Sequence, residues 1–462
     1  MTPSEYLEMK DCFQGGFTHA SVRKIGRVWK QVGSFDFTSS YPTTMVAEKF
    51  PMSRGEFIGN SSIEEIHRLS NDNCCMFNIE FSVLNPKYKA PDHPISASKC
   101  WGPSPSKKHW IIDNGRIVSG ENITTCCTEQ DLFTYEEFYD WEGEPKVTNL
   151  WIYKKGYLPT ELVKAILKLY GDKTALKGVS GKEVEYLLAK GMLNSAYGMC
   201  VTDIVKEVIE YDEEKGYIGN YDNMTDKEYL EFLSSQIDKY NNNQYRFLFY
   251  AWGIWVTAYS RANLFSGILA CGEDYIYSDT DSIKILNPEK HMDYIQRYND
   301  DIIKRLELAC EKHGIDKELT RPKNKFGETK QLGIWDFEGI YDEFKTLGAK
   351  RYMWRKGDKW ELTVAGVNKK KGMEFLKRKA EADGKDSPFD VFNLDLVVPP
   401  EYSGRLTLTY IDEPTAGEVT DYLSNKYEFS ELSSIHMESS DYSFNPTARF
   451  LEYLITAWED RF

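Results

Sequence analysis

The sequence predicts an α+β protein built on a central antiparallel sheet with helical additions. Two kinds of segment predict it. "FNIEFSVL" (residues 77–84) alternates like a strand, and "YSDTDSIKIL" (277–286) opens what reads as a hairpin. Among them stand long helical segments, "PTELVKAILKLYGD", "GKEVEYLLAKGMLNSAYG", "AWGIWVTAYSRANLFSGILACG" and "DIIKRLELACEKHG".

In chain order, the first ~35 residues read as a lead-in with a Gly-Gly pair. After the strand at 77–84, residues 85–125 are rich in Pro, Ser, Lys and Gly and predict an irregular, surface-exposed insertion. Two helices joined by a Gly-containing loop follow. Residues 205–245 are acidic and polar, with a helix predicted in "TDKEYLEFLSSQIDKYN". A buried helix (251–272), the hairpin, a further helix, a basic stretch and an acidic, Tyr-rich tail complete the chain. No internal repeat interrupts this order.

A length of 462 residues accommodates two to four domains or subdomains, and a hydrophobic fraction of 41% supports packed cores. No apolar stretch is long enough to span a membrane, so no membrane partner is expected. The opening "MTPSEYLEMKDCFQGG" lacks a basic region followed by an apolar one, which argues against a secretory signal. The nine cysteines include the adjacent pairs Cys74-Cys75 and Cys126-Cys127 but no paired zinc spacing. Reduced thiols in a cytoplasmic protein are the expectation. A net charge of -15 argues against a polyanionic partner only if charge is evenly spread. It is not: residues 350–379 carry eleven Lys and Arg against Asp358, Glu361 and Glu374. Alone, such a run is equally a solvated face.

Two clusters carry chemistry. If 277–286 is a strand, Asp279 and Asp281 share a face and repel unless a cation joins them. A hard divalent ion with oxygen ligands such as Mg²⁺ suits the pair, and Asp36, in "FDFTSSYPTTM", is a third candidate ligand. Asp-Thr-Asp is also good turn composition. On the helix "LLAKGMLNSAYG", Lys190, Asn194 and Tyr197 stand at i, i+4 and i+7 and form one polar stripe. Lys190 there suits phosphate oxygens and Tyr197 a base, although an ordinary amphipathic helix has the same pattern. Gly198 is placed to end the helix.

"DFTSSYP", "KGMLNSAYG" and "YSDTDS", in that order, resemble the three polymerase motifs of family-B DNA polymerases. "TAYSR" (257–261) resembles the element that grips DNA, with Ser260 where the family has Gly or Ala. "KRY" (350–352) resembles the Lys-x-Tyr element that steadies the primer end. "FQGG" (13–16) resembles the Tyr-x-Gly-Gly element, with Phe13 for Tyr. The likeness is closest to the protein-primed, phage and viral branch, whose two insertions match residues 85–159 and 203–245 in place.

The resemblance implies a right-hand polymerase fold with helical fingers, a small thumb and two insertions. The palm is expected at 1–84 and 246–359, the fingers at 160–202, and the thumb and tail at 360–462. The insertion at 85–159 is similar to terminal-protein region 1, and that at 203–245 is the second. Asp36, Asp281 and the Phe37 carbonyl would hold two Mg²⁺ ions, with Mn²⁺ as a substitute, and Asp279 would support them. Lys190 would hold the triphosphate, with Lys177 as a second candidate and Lys182 competing for that role. Ser39, Tyr41, Asn194 and Tyr197 would shape the nucleotide pocket, Tyr41 excluding a 2'-hydroxyl. Gly15, Gly16, Thr257, Arg261, Thr280, Lys350 and Tyr352 would contact DNA.

The implied partners are primer-template DNA and dNTPs. A terminal protein, a separate exonuclease and a single-strand-binding protein are further partners. The acidic Asp212, Glu213 and Glu214 favour a basic partner over direct phosphate contact. Such enzymes carry an N-terminal proofreading domain, whereas this chain starts at the Gly-Gly element and shows no exonuclease carboxylate set. Proofreading is therefore expected on a separate chain, or the product is truncated. Glu80 in "FNIEF" reads as part of a palm strand. Two other readings stay open: another palm nucleotidyl transferase, such as an RNA polymerase or reverse transcriptase, and a non-catalytic replisome module that binds primer-template or terminal protein.

Overall fold

The computed structural model describes residues 1–87, 91–102, 109–207, 209–212, 216–219, 221, 224–420 and 426–444. It divides into two compact units, Met1–Thr18 with Gly33–Gly339, and His19–Val32 with Ile340–Phe462.

Two large sheets organise the described residues of the first unit. In one, the antiparallel hairpin Tyr275–Asp279 and Ser282–Ile285 is followed by Trp29–Phe37, and then by Trp335–Gly348. The other is eight-stranded, with Lys146–Gly156, Asn73–Pro86 and Arg116–Thr128 at its centre. The long run "NCCMFNIEFSVLNP" forms its central strand because aromatic and β-branched side chains fit a pleated surface. This strand therefore lies in the second sheet, not beside the carboxylate hairpin. Its Glu80 faces Lys146 across the strand pair in an exposed ion pair at 3.0 Å.

The expectation of an irregular surface stretch at 85–125 is corrected. Arg116–Thr128 is a thirteen-residue strand with Ile117, Ile123, Cys126 and Cys127 buried. Its Ile, Val and Thr residues outweigh the interruption by Ser119, Gly120, Glu121 and Asn122.

Helix Tyr250–Cys271 runs through the core of this unit and is apolar on nearly every side, as a fully enclosed helix must be. Helices Thr160–Leu176 and Glu183–Gly198 pack against one another, with Val163, Ile166, Leu167 and Tyr170 buried on the first and Ala189, Leu193 and Ala196 on the second. Thr225 and Glu228 form a capping box at the start of helix Asp226–Asn242, which buries Leu233 and Ile237. A two-stranded ribbon, Ile209–Asp212 with Gly216–Gly219, precedes it. Glu213 and Glu214, and the side chain of Asp212, lie outside the described residues.

In the second unit, the end of strand Trp335–Gly348 continues into the antiparallel strands Arg351–Lys356 and Lys359–Val364. Asn368 caps helix Lys369–Ala382, and Met373 and Leu376 of that helix join a core with Leu347, Met353, Leu362 and Phe392. Part of the basic stretch is matched internally. Lys369 pairs with Glu361 at 3.1 Å, Arg355 with Glu343 at 2.7 Å and Arg378 with Glu374 at 2.6 Å. Lys356, Lys370, Lys371 and Lys377 are exposed. Lys350 stands exposed in the turn before Arg351, at φ 52°, and Tyr352 stacks on Phe344 with centroids 5.5 Å apart.

All nine cysteines are buried free thiols. No helix among the described residues is long and apolar enough to cross a membrane.

Candidate active site

Strand Trp29–Phe37 carries Asp36 beside the hairpin. Asp36 is in register with Ser282, and the Phe37 amide donates to the Asp281 carbonyl at 2.6 Å. Asp279 ends its strand and pairs with Ser282, so Thr280 and Asp281 form a two-residue loop. Asp279 and Asp281 therefore do not share a strand face; the turn reading of Asp-Thr-Asp is the correct one. Thr280 sits at φ 58°, and the Asp281 amide donates to the Asp279 carbonyl at 2.6 Å. That is a γ-turn of the rare, positive-φ kind, and a β-branched residue there costs on the order of 1–3 kcal/mol. The Thr280 amide is held by the Phe17 carbonyl at 2.6 Å, and the Asp279 carboxylate accepts from the hydroxyls of Thr18 at 2.8 Å and Thr280 at 3.3 Å.

The electrostatics of this corner are unfavourable to bare carboxylates. Burial, followed by Asp281 and Glu338, pushes Asp36 up to about 7, with Lys284 opposing. Burial and Asp279 push Asp281 up to about 6, with Lys284 and Lys173 opposing. Lys284 is itself buried; it donates to Ser34 Oγ at 2.7 Å and lies 3.8 Å from Glu338, and burial pulls its ammonium pKa down. Two crowded carboxyl groups with oxygen donors and raised pKa values fit a hard divalent cation, which would replace the protons they otherwise retain.

The nucleotide-side candidates converge in part. Rings of Tyr41 and Tyr197 meet at 4.5 Å, inclined by 50°. Burial raises the Tyr41 hydroxyl pKa, and Asp281 and Asp279 add to it against Arg261. On the stripe, Tyr197 is half-buried while Lys190 and Asn194 are exposed. Ser39 takes a left-handed conformation at φ 60° ahead of helix Ser40–Ala47. Its hydroxyl does not cap that helix; it accepts from Lys173 Nζ at 2.8 Å.

Burial, then Lys177 and Lys190, lowers the Lys173 pKa, while Asp36 and Asp281 raise it. Lys173 thus links the lysines to the aspartates. Lys182 is exposed and pairs with Glu185 at 2.7 Å. Gly198 is the last residue of its helix, but it ends the helix without a left-handed φ.

The Gly-Gly element packs onto the hairpin turn. A Cβ on Gly16 would lie 2.6 Å from Thr280 Cγ2 and 2.9 Å from Tyr41 Oη, whereas Gly15 has open space. Arg261 fixes this loop from behind. Its guanidinium bonds Asp131 at 2.7 Å and the Gly15 carbonyl at 3.1 Å, and also the Gln14 carbonyl. Arg261 is 4% exposed and Thr257 fully buried, with the Thr257 hydroxyl bonded to the Gly253 and Ile254 carbonyls. Arg261 therefore positions the loop, whereas Thr257 is bonded within its own helix, and neither side chain is exposed toward DNA. Buried Ser260 offers no alternative contact. Lys350 and Tyr352 belong to the second unit, described above.

A family model for DNA polymerase type B, organellar and viral, matches residues 1–249. The chain belongs to that family. Among solved structures, it is similar to Phi29 DNA polymerase complexed with primer-template DNA and incoming nucleotide substrates, at 17% identity and a TM-score of 0.59. It is also similar to Phi29 DNA polymerase complexed with primer-template DNA, at 16% identity and a TM-score of 0.61. Each match covers 96% of this chain and 63% of the other, so the chain spans less than two-thirds of the polymerases it resembles. The likeness establishes the α+β polymerase fold. No curated protein sequence matches the chain.

Sequence reasoning within this family-B chain missed Lys173, Lys284 and Glu338. A lysine inside the apolar run "SIKIL" was a usable signal for Lys284, because a buried ammonium needs a carboxylate nearby. Lys173 lies on the same helix as residues that face the core, and only the tertiary fold turns it toward Ser39.

Proposed function

We propose that this chain is the catalytic part of a template-directed DNA polymerase in viral DNA replication. It adds dNTPs to a DNA 3'-hydroxyl, or to a hydroxyl of a protein primer. The observation that carries the reading is the placement of Asp36, near the end of its strand, beside the hairpin turn that holds Asp281, both with raised carboxyl pKa values, with Lys173 linked electrostatically to both. Asp36, Asp281 and the Phe37 carbonyl would hold two Mg²⁺ ions, or Mn²⁺ in their place. When bound, the metals supply acidity to the attacking hydroxyl and charge to the leaving pyrophosphate.

The chain's own residues do the rest. Asp279, held by Thr18 and Thr280, keeps the turn in place. Lys284 offsets the carboxylate charge. Lys173, Lys177 and Lys190 present cations to the triphosphate, where pre-placed charge is most effective. The Tyr41–Tyr197 pair supports the sugar and nascent base, with Asn194 beside it. Exposed lysines of the second unit suit backbone phosphates, which give affinity without sequence choice. This reading uses no exonuclease site among the described residues. Priming by a terminal protein, docked through the two insertions, is the finer form of the proposal.

The non-catalytic alternative has less support, since a binding module has no use for the strained Thr280 turn and two crowded carboxylates. Primer extension tests the choice. The reading requires Mg²⁺-dependent incorporation of the complementary dNTP on each of the four template bases. Duplex binding without incorporation in Mg²⁺ or Mn²⁺ would favour the binding module.

A further inference from the structure

A second feature of the first unit lies outside the polymerase motifs. A groove of about 280 Å³ opens beside the start of helix Tyr250–Cys271, lined among others by Met52, Arg54, Arg246, Phe247, Phe249 and Trp252. None of its lining residues is acidic, on a chain whose net charge is -15 and beside an acidic insertion. Arg54 and Arg246 are exposed, and no carboxylate lines the groove to meet them. Phe247 is 69% exposed and the adjacent Tyr245 83% exposed, so neither ring serves a core.

The groove is firmly built. The segment between the two helices is held by the Tyr240 hydroxyl, which donates to the Leu248 carbonyl at 3.4 Å and accepts from the Tyr250 amide at 3.2 Å. Trp252 Nε1 donates to the Pro51 carbonyl at 2.8 Å and closes the far wall. Arg246 lies over the Tyr240 ring at 4.1 Å, which restricts where its charge points.

The exposed Phe247 ring beside two exposed guanidinium groups, in a cleft whose lining holds no acid, matches the chemistry of an unpaired nucleic-acid strand. Bases stack on the rings and phosphates meet the arginines. We propose that this groove binds single-stranded DNA, and that its occupant is the unpaired template. The second half rests on the polymerase reading, because the template is the one unpaired strand that such a reaction always presents. An apolar peptide is disfavoured by two guanidinium groups without counter-charges.

The test uses the full chain and Phe247→Ala, with Arg54→Ala/Arg246→Ala as a second variant. All three side chains are exposed, and none belongs to the site of the aspartates. Fluorescence anisotropy reads affinity for an oligothymidylate of about a dozen nucleotides, within the usual size of single-strand sites. Phe247→Ala should weaken it by about 5- to 150-fold, the range for loss of one stacking platform. The arginine variant should flatten the log-log salt slope by about 1.4, at ~0.7 per phosphate on a single strand. Unchanged affinity and slope in both variants would overturn the site.

A 2-aminopurine probe then separates the strands. Placed in the template overhang it should respond in the wild type and lose the response in Phe247→Ala. A response only from a displaced strand would overturn the template assignment. Failure of the wild type to incorporate would fall on the polymerase reading, while the anisotropy still reads the groove.

Discussion

Replacing Gly16 with alanine tests whether the Gly-Gly element sets the position of the carboxylate turn. The new Cβ would come within 2.6 Å of Thr280 Cγ2 and 2.9 Å of Thr280 Oγ1 and Tyr41 Oη. Ordinary contact begins near 3.4 Å, so something must move by roughly 0.8 Å. Thr280 has little freedom: it sits at φ 58°, its amide is bonded to Phe17, and it separates Asp279 from Asp281. Overpacking of this kind costs about 1–3 kcal/mol, and a displacement near 1 Å at a reacting centre costs about 10²-fold in rate.

Gly15→Ala is the matched control, because nothing lies within 4 Å of a Cβ there. Urea denaturation should show Gly16→Ala destabilised by about 1–3 kcal/mol and Gly15→Ala near wild type. Single-turnover nucleotide incorporation should fall about 10²-fold in the first and little in the second. Thr280→Ser, which removes Cγ2, should restore part of the loss in the double variant. Equal activity of the two glycine variants would refute the packing argument.

Arg261→Met should destabilise the fold by about 3–5 kcal/mol in urea denaturation, because Asp131 would be left buried and uncompensated; unchanged stability with weaker DNA binding would restore direct DNA contact. Tyr41→Val should lower the ratio of kcat/KM for dNTP over rNTP, and an unchanged ratio would exclude Tyr41 as the sugar gate. In chelator, stability should decline as pH rises from about 4 to 7. Over that range Asp36 and Asp281, raised to about 7 and about 6 from 3.8, keep protons in the fold that the unfolded chain has released. Mg²⁺ should accordingly raise Tm more at about pH 8 than at about pH 5, and equal rises would argue against metal at these carboxylates.

Much of this was legible in the sequence where the signal is local. The paired helices at 160–176 and 183–198 follow from their apolar periodicity, and the core helix at 250–271 from the length of its nearly unbroken apolar run. Asp36 was readable because it follows Phe35, which is buried near the end of a strand. Asp279 and Asp281 were identified, but composition alone does not separate a strand face from a two-residue turn. The buried pairing of Arg261 was not legible because its partner, Asp131, is 130 residues away, and no local pattern announces a buried ion pair. The strand at 116–128 was hidden by the Gly and polar residues within it, which are tolerated because strands on both sides complete its hydrogen bonding.

The central claim is that Asp36 and Asp281 together make a metal-dependent nucleotidyl-transfer site. Single-turnover incorporation of one templated dNTP in Mg²⁺, compared between wild type and Asp281→Asn, tests it most directly. Asparagine keeps the size of the side chain and removes its charge. The account predicts template-dependent incorporation by the wild type and a loss of about 10³-fold or more in the variant, from several kcal/mol of lost transition-state stabilisation. A variant rate within about tenfold of wild type, with its fold intact, would contradict the account.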